Sequence, residues 1–365
     1  MIVEEGSNFM TRLNYTRFAK NFFLNNFTHD HVMRPLNAQI ELTMRCNARC
    51  VFCSIWTKEY QQELESEMTT EEVKRIIDDL DKLGVFVLNF TGGEPTLRKD
   101  LPELITYASK KGMMVTLATN GFKLFELLQE GKLNDIEFIM VSLDWPDKRH
   151  DEFRGIPLFD KVIKGIRAAV LLRKKVLIST VITKQNFHVM EDMCKLAKSL
   201  GAMLELLPCE DIIRDMSNSS HKVDEINQFI PNLNRWANEI LQLIPKYPNL
   251  TTDPTTVDII RKGGFGHPGI PVRCHVAQAF VNIRYNGEMV FPCKIHPILR
   301  VNVSRQFHTD KIYHSGQVKK IILMRDGFHF CKGCRLGCAI VTSIPTKWST
   351  LIQKYVRMFF NGNLF

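Results

Sequence analysis

Between Ala38 and Pro208, short β-branched apolar runs alternate with stretches whose apolar residues recur every three or four positions. The runs predict strands over 38–43, 85–90, 113–118, 136–143, 176–183 and 202–207, and the longer stretches predict helices over 69–83, 100–111, 122–130, 158–173 and 187–200. Thr69 followed by Glu72 gives the first helix a capping-box start, in which each residue satisfies a backbone N–H of the other. Strands that alternate with helices in this way predict parallel βα units, an α/β fold built as an open doubly wound sheet or a barrel. In either, function sits at the C-terminal ends of the strands.

Past 210 the pattern changes. Residues 211–269 read as a mostly helical connector that runs into the turn-rich "RKGGFGHPGIP". Then "AFVNIRYNGEMVFPC" sets two apolar runs around Asn286-Gly287, a pair suited to the positive φ of a tight hairpin turn. No internal repeat beyond the βα alternation and no low-complexity tract is present.

Composition narrows the class. With 365 residues, 45% hydrophobic and 24% charged, the chain has enough apolar material for one large domain and a smaller one. No run of about 18 apolar residues occurs, and Glu4, Glu5 and Asp30 stand where a signal peptide needs a basic start, so a cytoplasmic location is expected. In a reducing compartment most of the ten cysteines are not disulfides, and eight fall in two groups, which points to metal or redox chemistry. The net charge of +9 is uneven: from Arg261 onward, 16 Lys and Arg face only Glu288, Asp310 and Asp326, giving +13, while residues 1–260 carry −4. A basic C-terminal third suits an anionic partner, or simply solvated lysines around a negatively charged cofactor.

The first cysteine group is "CNARCVFC", in which Cys46, Cys50 and Cys53 follow the first strand with no fourth ligand nearby. A structural zinc site closes on four ligands, whereas a cubane iron-sulfur cluster can take three thiolates and keep one iron open. The motif resembles the signature of the radical S-adenosylmethionine (radical SAM) superfamily, Cys-x3-Cys-x-aromatic-Cys, with Phe52 as the aromatic. "NFTGGEPTL" at the end of the second strand resembles that family's Gly-Gly-Glu motif, and "LATNGF" and "VSLDWPDKRHDEFRG" are similar to its segments after the third and fourth.

The resemblance implies a partial (β/α)6 TIM-type barrel over residues 35–210 and a 4Fe-4S cluster on Cys46, Cys50 and Cys53 whose open iron binds S-adenosylmethionine. It further implies Phe52 against the adenine, and Gly92, Gly93 and Glu94 at the methionyl ammonium. Asn120 and Ser142 are implied for the ribose or carboxylate, and Arg154 for the carboxylate. Glycines suit close approach of backbone to a ligand. Read by themselves, Asn120-Gly121 is ordinary turn chemistry and Ser142 a candidate cap. Trp145 stands where many relatives have glycine, a bulky indole at the expected pocket rim.

Cys274, Cys293, Cys331, Cys334 and Cys338 form the second group, on the hairpin and on a loop about 40 residues later. They resemble the auxiliary-cluster extension called SPASM, or its shortened form called twitch, over 270–340. That implies a second 4Fe-4S cluster on Cys274, Cys293, Cys331 and Cys334, with Cys338 as spare or rival; a zinc ribbon on the same thiolates is the alternative. Cys194 and Cys209 read as small packed hydrophobes.

The family's chemistry implies reductive cleavage of SAM to a 5′-deoxyadenosyl radical, a substrate that yields a hydrogen atom, and an electron donor such as ferredoxin or flavodoxin. The substrate class, whether lipid, peptide, tetrapyrrole or another small molecule, is left open. Residues 1–34 carry Phe9, Leu13, Phe18, Phe22, Phe23 and Phe27 among Arg12, Arg17 and Lys20, and residues 341–365 carry Trp348, Leu351, Ile352, Tyr355, Val356 and Phe359 among Lys347, Lys354 and Arg357. Such helices either pack on the barrel or touch a membrane peripherally. Two other functional classes compete with a radical enzyme: a zinc-binding nucleic-acid module, against which the Gly-Gly-Glu motif and the barrel pattern argue, and a non-catalytic iron-sulfur sensor.

Overall fold

The computed structural model describes residues 16–24, 34–53, 55–56, 66–209, 228–270, 272–305, 308–324 and 327–343. Six parallel strands run in sequence order across one sheet: β1 (Asn37–Thr43), β2 (Val87–Gly92), β3 (Met114–Thr119), β4 (Phe138–Ser142), β5 (Lys175–Ile182) and β6 (Met203–Pro208). All six expected strands are present, each within about two residues of its expected ends.

After the helix at 16–24 (α1), the crossovers are α2 (Thr70–Lys82), α3 (Leu101–Lys110), α4 (Leu124–Gln129), α5 (Arg149–Arg154), α6 (Phe159–Leu171) and α7 (Met190–Ser199). The capping box at α2 forms as expected, with Glu72 N–H donating to Thr69 Oγ1 at 3.3 Å and Thr69 N–H donating to Glu72 Oε2 at 2.7 Å. α2 then seals Val73, Ile76, Ile77 and Leu80 against the sheet. Each such side chain contributes about 2 kcal/mol of apolar burial. α5 is the crossover element that sequence periodicity missed, because six residues are too few to establish a helical period.

Alternation along the strands decides what each face sees. On β1, Ala38, Ile40 and Leu42 are fully buried under the helices, so Gln39, Glu41 and Thr43 point to the opposite, concave face. Register carries that face across the sheet through the pairs Gln39 with Asn89, Asn89 with Thr116 and Ser142 with Ser179.

The hairpin forms where Asn286-Gly287 places it: β7 (Phe280–Ile283) and β8 (Glu288–Phe291) are antiparallel, and β9 (Leu299–Asn302) adds a third strand. Gly287 has φ +85°, and a Cβ there would sit 2.3 Å from Ser304 Oγ. The hairpin also joins the barrel sheet: β7 pairs parallel with β1, giving one nine-stranded sheet in the order β6-β5-β4-β3-β2-β1-β7-β8-β9. The connector contributes α8 (Leu233–Leu243) and α9 (Pro254–Arg261), and α10 (Val276–Ala279), α11 (Thr309–Tyr313), α12 (Gly316–Leu323) and α13 (Gly337–Ser343) complete the described elements.

α1 packs on the barrel rather than standing free. The Phe18 ring lies 5.8 Å from Phe22 and 5.4 Å from Phe86, Arg17 pairs with Asp81 at 2.7 Å, and Asn21 Nδ2 donates to Gly84 O at 2.8 Å. Phe23 on the same helix is exposed; Phe9, Arg12, Leu13 and Phe27, and the whole of the C-terminal pattern, lie outside the described residues. No helix among the described residues is long and apolar enough to cross a membrane.

Candidate active site

The loop after β1 carries Cys46, Cys50 and Cys53 and is fixed by backbone bonds to two neighbours. From α5, Arg154 O accepts from Arg49 N–H at 2.8 Å and Phe153 O from Val51 N–H at 3.2 Å. From the end of β2, Gly93 N–H donates to Thr43 O at 2.7 Å and Glu94 N–H to Arg45 O at 2.8 Å. Gly155 ends α5 with φ +69°, and a Cβ on it would lie 2.6 Å from Arg49 Cβ.

Gly92 ends β2 and Gly93 follows it beside the cysteine loop, and the structure gives its own reason for glycine there. A Cβ on Gly92, whose φ is +148°, would meet Thr43 O at 2.1 Å, and one on Gly93 would meet Arg45 O at 2.5 Å. Their missing side chains let the β2 turn dock on the cysteine loop, a contact of chain with chain.

Glu94 is completely buried. Its Oε1 accepts from Thr96 N–H (3.1 Å), Thr96 Oγ1 (2.6 Å) and Thr119 Oγ1 (2.7 Å), and Oε2 accepts from Asn120 N–H (2.6 Å). Desolvation nevertheless pushes its carboxyl above the usual range, with those donors opposing. Asn120 reaches the cysteine loop directly, its Nδ2 donating to Asn47 Oδ1 at 2.9 Å. Asn47 Nδ2 is buried and, among the described residues, has no hydrogen-bond partner.

Arg154 is nine-tenths buried. Its Nε donates to Asp144 Oδ2 at 2.6 Å, its Nη1 donates to Cys50 Sγ at 3.5 Å, and its guanidinium stands 5.3 Å from the Phe52 ring centre. Two of its donor nitrogens are therefore engaged by the protein itself. Asp144 is held by Val181 N–H at 2.9 Å, and its own N–H donates to His150 Nδ1 at 3.1 Å. Burial first, then the nearby Arg154 cation, keeps His150 neutral, with its pKa lowered to about 4 despite the Asp144 charge. Asp144 and His150 went unnoticed in the sequence, where "VSLDWPDKRH" offers nothing to separate them from capping residues.

Phe52 lies 5.2 Å from Phe153, ring centre to ring centre. Ser142 is on the concave face at the end of β4, apart from the cysteine loop's hydrogen bonds. Trp145 is 8% exposed, its ring 6.3 Å from Phe153 and 5.5 Å from His188, with Arg149 above it at 4.3 Å.

Burial pushes the Cys46 thiol up to about 11 and raises Cys50 as well, Arg154 opposing the latter. Among the described residues, the one set of three or more His, Cys, Asp or Glu ligand atoms all within 4.8 Å of one another is Asp79, His308 and Asp310. Three thiolates in one loop with no fourth ligand beside them suit a cubane, which takes each on a different iron and leaves one iron open, better than a closed four-ligand zinc site.

The second cysteine group comes from separate segments. Cys293 follows β8, and His296 N–H donates to its Sγ at 3.5 Å. The His296 ring is 4.9 Å from Phe330, next to Cys331. The turn around Gly264 clasps the other side: Phe265 N–H donates to Cys334 O at 2.9 Å, Gly333 N–H donates to Phe265 O at 2.8 Å, and a Cβ on Gly264 would lie 2.3 Å from Cys334 O. Beside Cys274, His275 N–H donates to Ser343 Oγ at 2.8 Å, tying that segment to α13. Cys194 and Cys209 are buried, as small packed side chains should be. The side chain of Cys338 lies outside the described residues.

Residues 40–197 match the family model of the Radical SAM superfamily. The chain is 38% identical over 175 residues to the Fe-coproporphyrin III synthase of Methanosarcina barkeri, covering 47% of this chain and 41% of that protein. It is 35% identical over 193 residues to a probable GTP 3′,8-cyclase of Pyrococcus horikoshii (52% and 61%) and 33% identical over 175 residues to the mycofactocin maturase MftC of Mycobacterium tuberculosis (47% and 44%). The chain spans about half the length of these curated relatives. Among solved structures, Streptococcus suis SuiB bound to its precursor peptide SuiA superimposes with a TM-score of 0.63 at 17% identity, over 90% of this chain and 76% of that one. The enzyme anSMEcpe with bound AdoMet gives 0.59 at 17%, over 90% and 93%. At that identity the likeness is one of fold, and it is the partial barrel expected from the motifs.

Proposed function

We propose, for a chain whose residues 40–197 are a radical SAM domain, that it is an enzyme in which Cys46, Cys50 and Cys53 hold a 4Fe-4S cluster with one iron left for S-adenosylmethionine. When bound, cluster and SAM together supply a 5′-deoxyadenosyl radical by one-electron cleavage of the sulfonium, with methionine as the other product and a substrate hydrogen atom as the radical's target.

The observation that carries this reading is the cysteine loop, fixed on both sides by backbone bonds from α5 and β2 and crossed by the buried Arg154. Glu94 suits the methionyl ammonium, because a cation beside Oε2 would offset the desolvation that raises its carboxyl. Asn120 and Ser142 are assigned to the ribose or carboxylate and Phe52 to the adenine. Arg154 keeps its unused donors for the SAM carboxylate while Asp144 aims it. The concave face below the loop shields the reacting atoms from water, which a reactive species demands.

Cys274, Cys293, Cys331 and Cys334 are assigned to a second 4Fe-4S cluster, in a unit spanning 270–340 against a barrel spanning 35–210. A ferredoxin- or flavodoxin-type donor would supply the electron. The test is direct: anaerobically reconstituted protein should contain about eight irons and eight sulfides, and on reduction with SAM should release 5′-deoxyadenosine and methionine. Protein that binds SAM but never cleaves it would be a sensor, and zinc in place of iron in the second group would restore the ribbon.

A further inference from the structure

Three side chains beneath the cysteine loop have no counterpart in the machinery above. Gln39, Glu41 and Asn282 are 8%, 9% and 5% exposed. Gln39 and Asn282 are partners in the β1–β7 register, and Glu41 is two residues further along β1 on the same face. Their strand neighbours Ala38, Ile40, Val281 and Ile283 belong to the apolar core under the helices, so all three point to the concave side. Among the described residues none of the three side chains has a hydrogen-bond or ion-pair partner.

Buried polar side chains are almost always paired, and no polar atom of these three is among the fully buried orphaned ones, so their polar ends face open space on the concave side, where a ligand can reach them. The neighbour one step further along β7 is Arg284, whose guanidinium is 4.0 Å from Glu288 rather than on Glu41. Across the other edge, Glu41 faces Thr91, which adds no charge. The floor therefore combines one unneutralised carboxylate with two amides, each amide able to donate and accept.

We propose that Gln39, Glu41 and Asn282 form the substrate-binding floor of the barrel and that the substrate presents a positively charged nitrogen, an amine or a guanidinium, to Glu41. The proposal rests on the radical SAM reading for what happens above that floor, and it selects within it: a substrate that enters with carboxylates or phosphates foremost would leave Glu41 unpaired and repelled. The amides of Gln39 and Asn282 orient neutral polar atoms next to the cation. The carboxylate gives charge-assisted binding and, by fixing the nitrogen, fixes which carbon stands beneath the SAM site.

The experiment uses the full chain, anaerobically reconstituted and saturated with SAM but not reduced. Binding of n-butylamine, butylguanidine, n-butanol and butyrate is followed by saturation-transfer NMR. The two cations should bind about tenfold more tightly than butanol, the scale of one charge-assisted hydrogen bond, and butyrate should bind least. Glu41→Gln should erase the preference with SAM affinity unchanged within about twofold, and Glu41→Asp, which keeps the charge, should retain part of it. A lysine-bearing peptide that competes where lysine amide does not would identify the nitrogen as a peptide's; the reverse would identify a free small molecule. Equal binding of amine and alcohol, a preference that survives Glu41→Gln while Glu41→Asp is folded, or a loss of SAM affinity in Glu41→Gln would each overturn the assignment. Failure to cleave SAM on reduction, with the amine preference intact, would remove the radical reading and leave the floor standing.

Discussion

The two cysteine-rich regions hold similar ligands by opposite constructions. Cys46, Cys50 and Cys53 come from eight consecutive residues, and the chain around them is pinned by backbone bonds from the end of β2 and from α5, which follows β4. Cys274, Cys293, Cys331 and Cys334 come from segments up to 60 residues apart, joined by a clasp at Gly264, a ring contact at Phe330 and a tie at Ser343. The first has its ligand spacing written in one loop, with β2 and α5 fixing that loop's pose. The second exists only once the C-terminal segments have folded against one another, so its assembly depends on long-range closure.

Removing ligands gives the largest expected effect. A Cys46→Ala, Cys50→Ala, Cys53→Ala variant should keep about four irons per chain and produce no 5′-deoxyadenosine, whereas Cys331→Ala with Cys334→Ala should also keep about four yet still cleave SAM. Iron and sulfide analysis with product chromatography reads both. If the second variant loses all iron, the two regions are not independent.

Glycine substitutions should separate the regions without touching a ligand. Gly92→Ala drives a Cβ onto Thr43 O from 2.1 Å and Gly264→Ala onto Cys334 O from 2.3 Å, both at positive φ. Each should cost on the order of 3 kcal/mol in apoprotein unfolding. Gly92→Ala should impair loading of the first cluster, and Gly264→Ala that of the second.

Acid should act on the first region selectively. His150 is buried neutral with its pKa lowered from 6.5 to about 4, so the unfolded chain takes up a proton before the folded one does. Stability should therefore fall as pH drops from about 6.5 to about 4, by on the order of 3 kcal/mol, and His150→Gln should flatten that slope in denaturant titrations of the apoprotein.

The smallest effect concerns the cation at Cys50. Arg154→Met should leave iron content unchanged and move the first cluster's reduction potential to more negative values, because a positive hydrogen-bond donor at a ligating sulfur favours the electron-rich state. The second cluster's potential should stay where it is. A spectroelectrochemical titration without SAM resolves the two, and an unmoved potential would show that the Arg154 contact to Cys50 does not tune the cluster.

The six strands, the α2 capping box, the hairpin turn at Asn286-Gly287 and the first cysteine motif were legible in the sequence because each is written within a few consecutive residues. Period-two and period-3.6 patterns, a cap and its third neighbour, and a turn pair need no knowledge of what packs against them. The parallel pairing of β7 with β1 was not legible, since "AFVNI" reads only as one arm of a hairpin and nothing local says which sheet edge it meets. Nor was the purpose of Gly92 and Gly93: the letters announce freedom from a Cβ, and only the fold shows that Thr43 and Arg45 occupy the space.

The sequence by itself therefore determined the kind of fold and the loop with three thiolates, since short-range periodicity and spacing dictate both. Tertiary structure alone decided that Asp144 would aim Arg154 at Cys50, that Gly264 would clasp Cys334, and that Gln39, Glu41 and Asn282 would share one face. Those contacts depend on register and on helices returning to the sheet, and a chain's linear order leaves such distances free until the core closes.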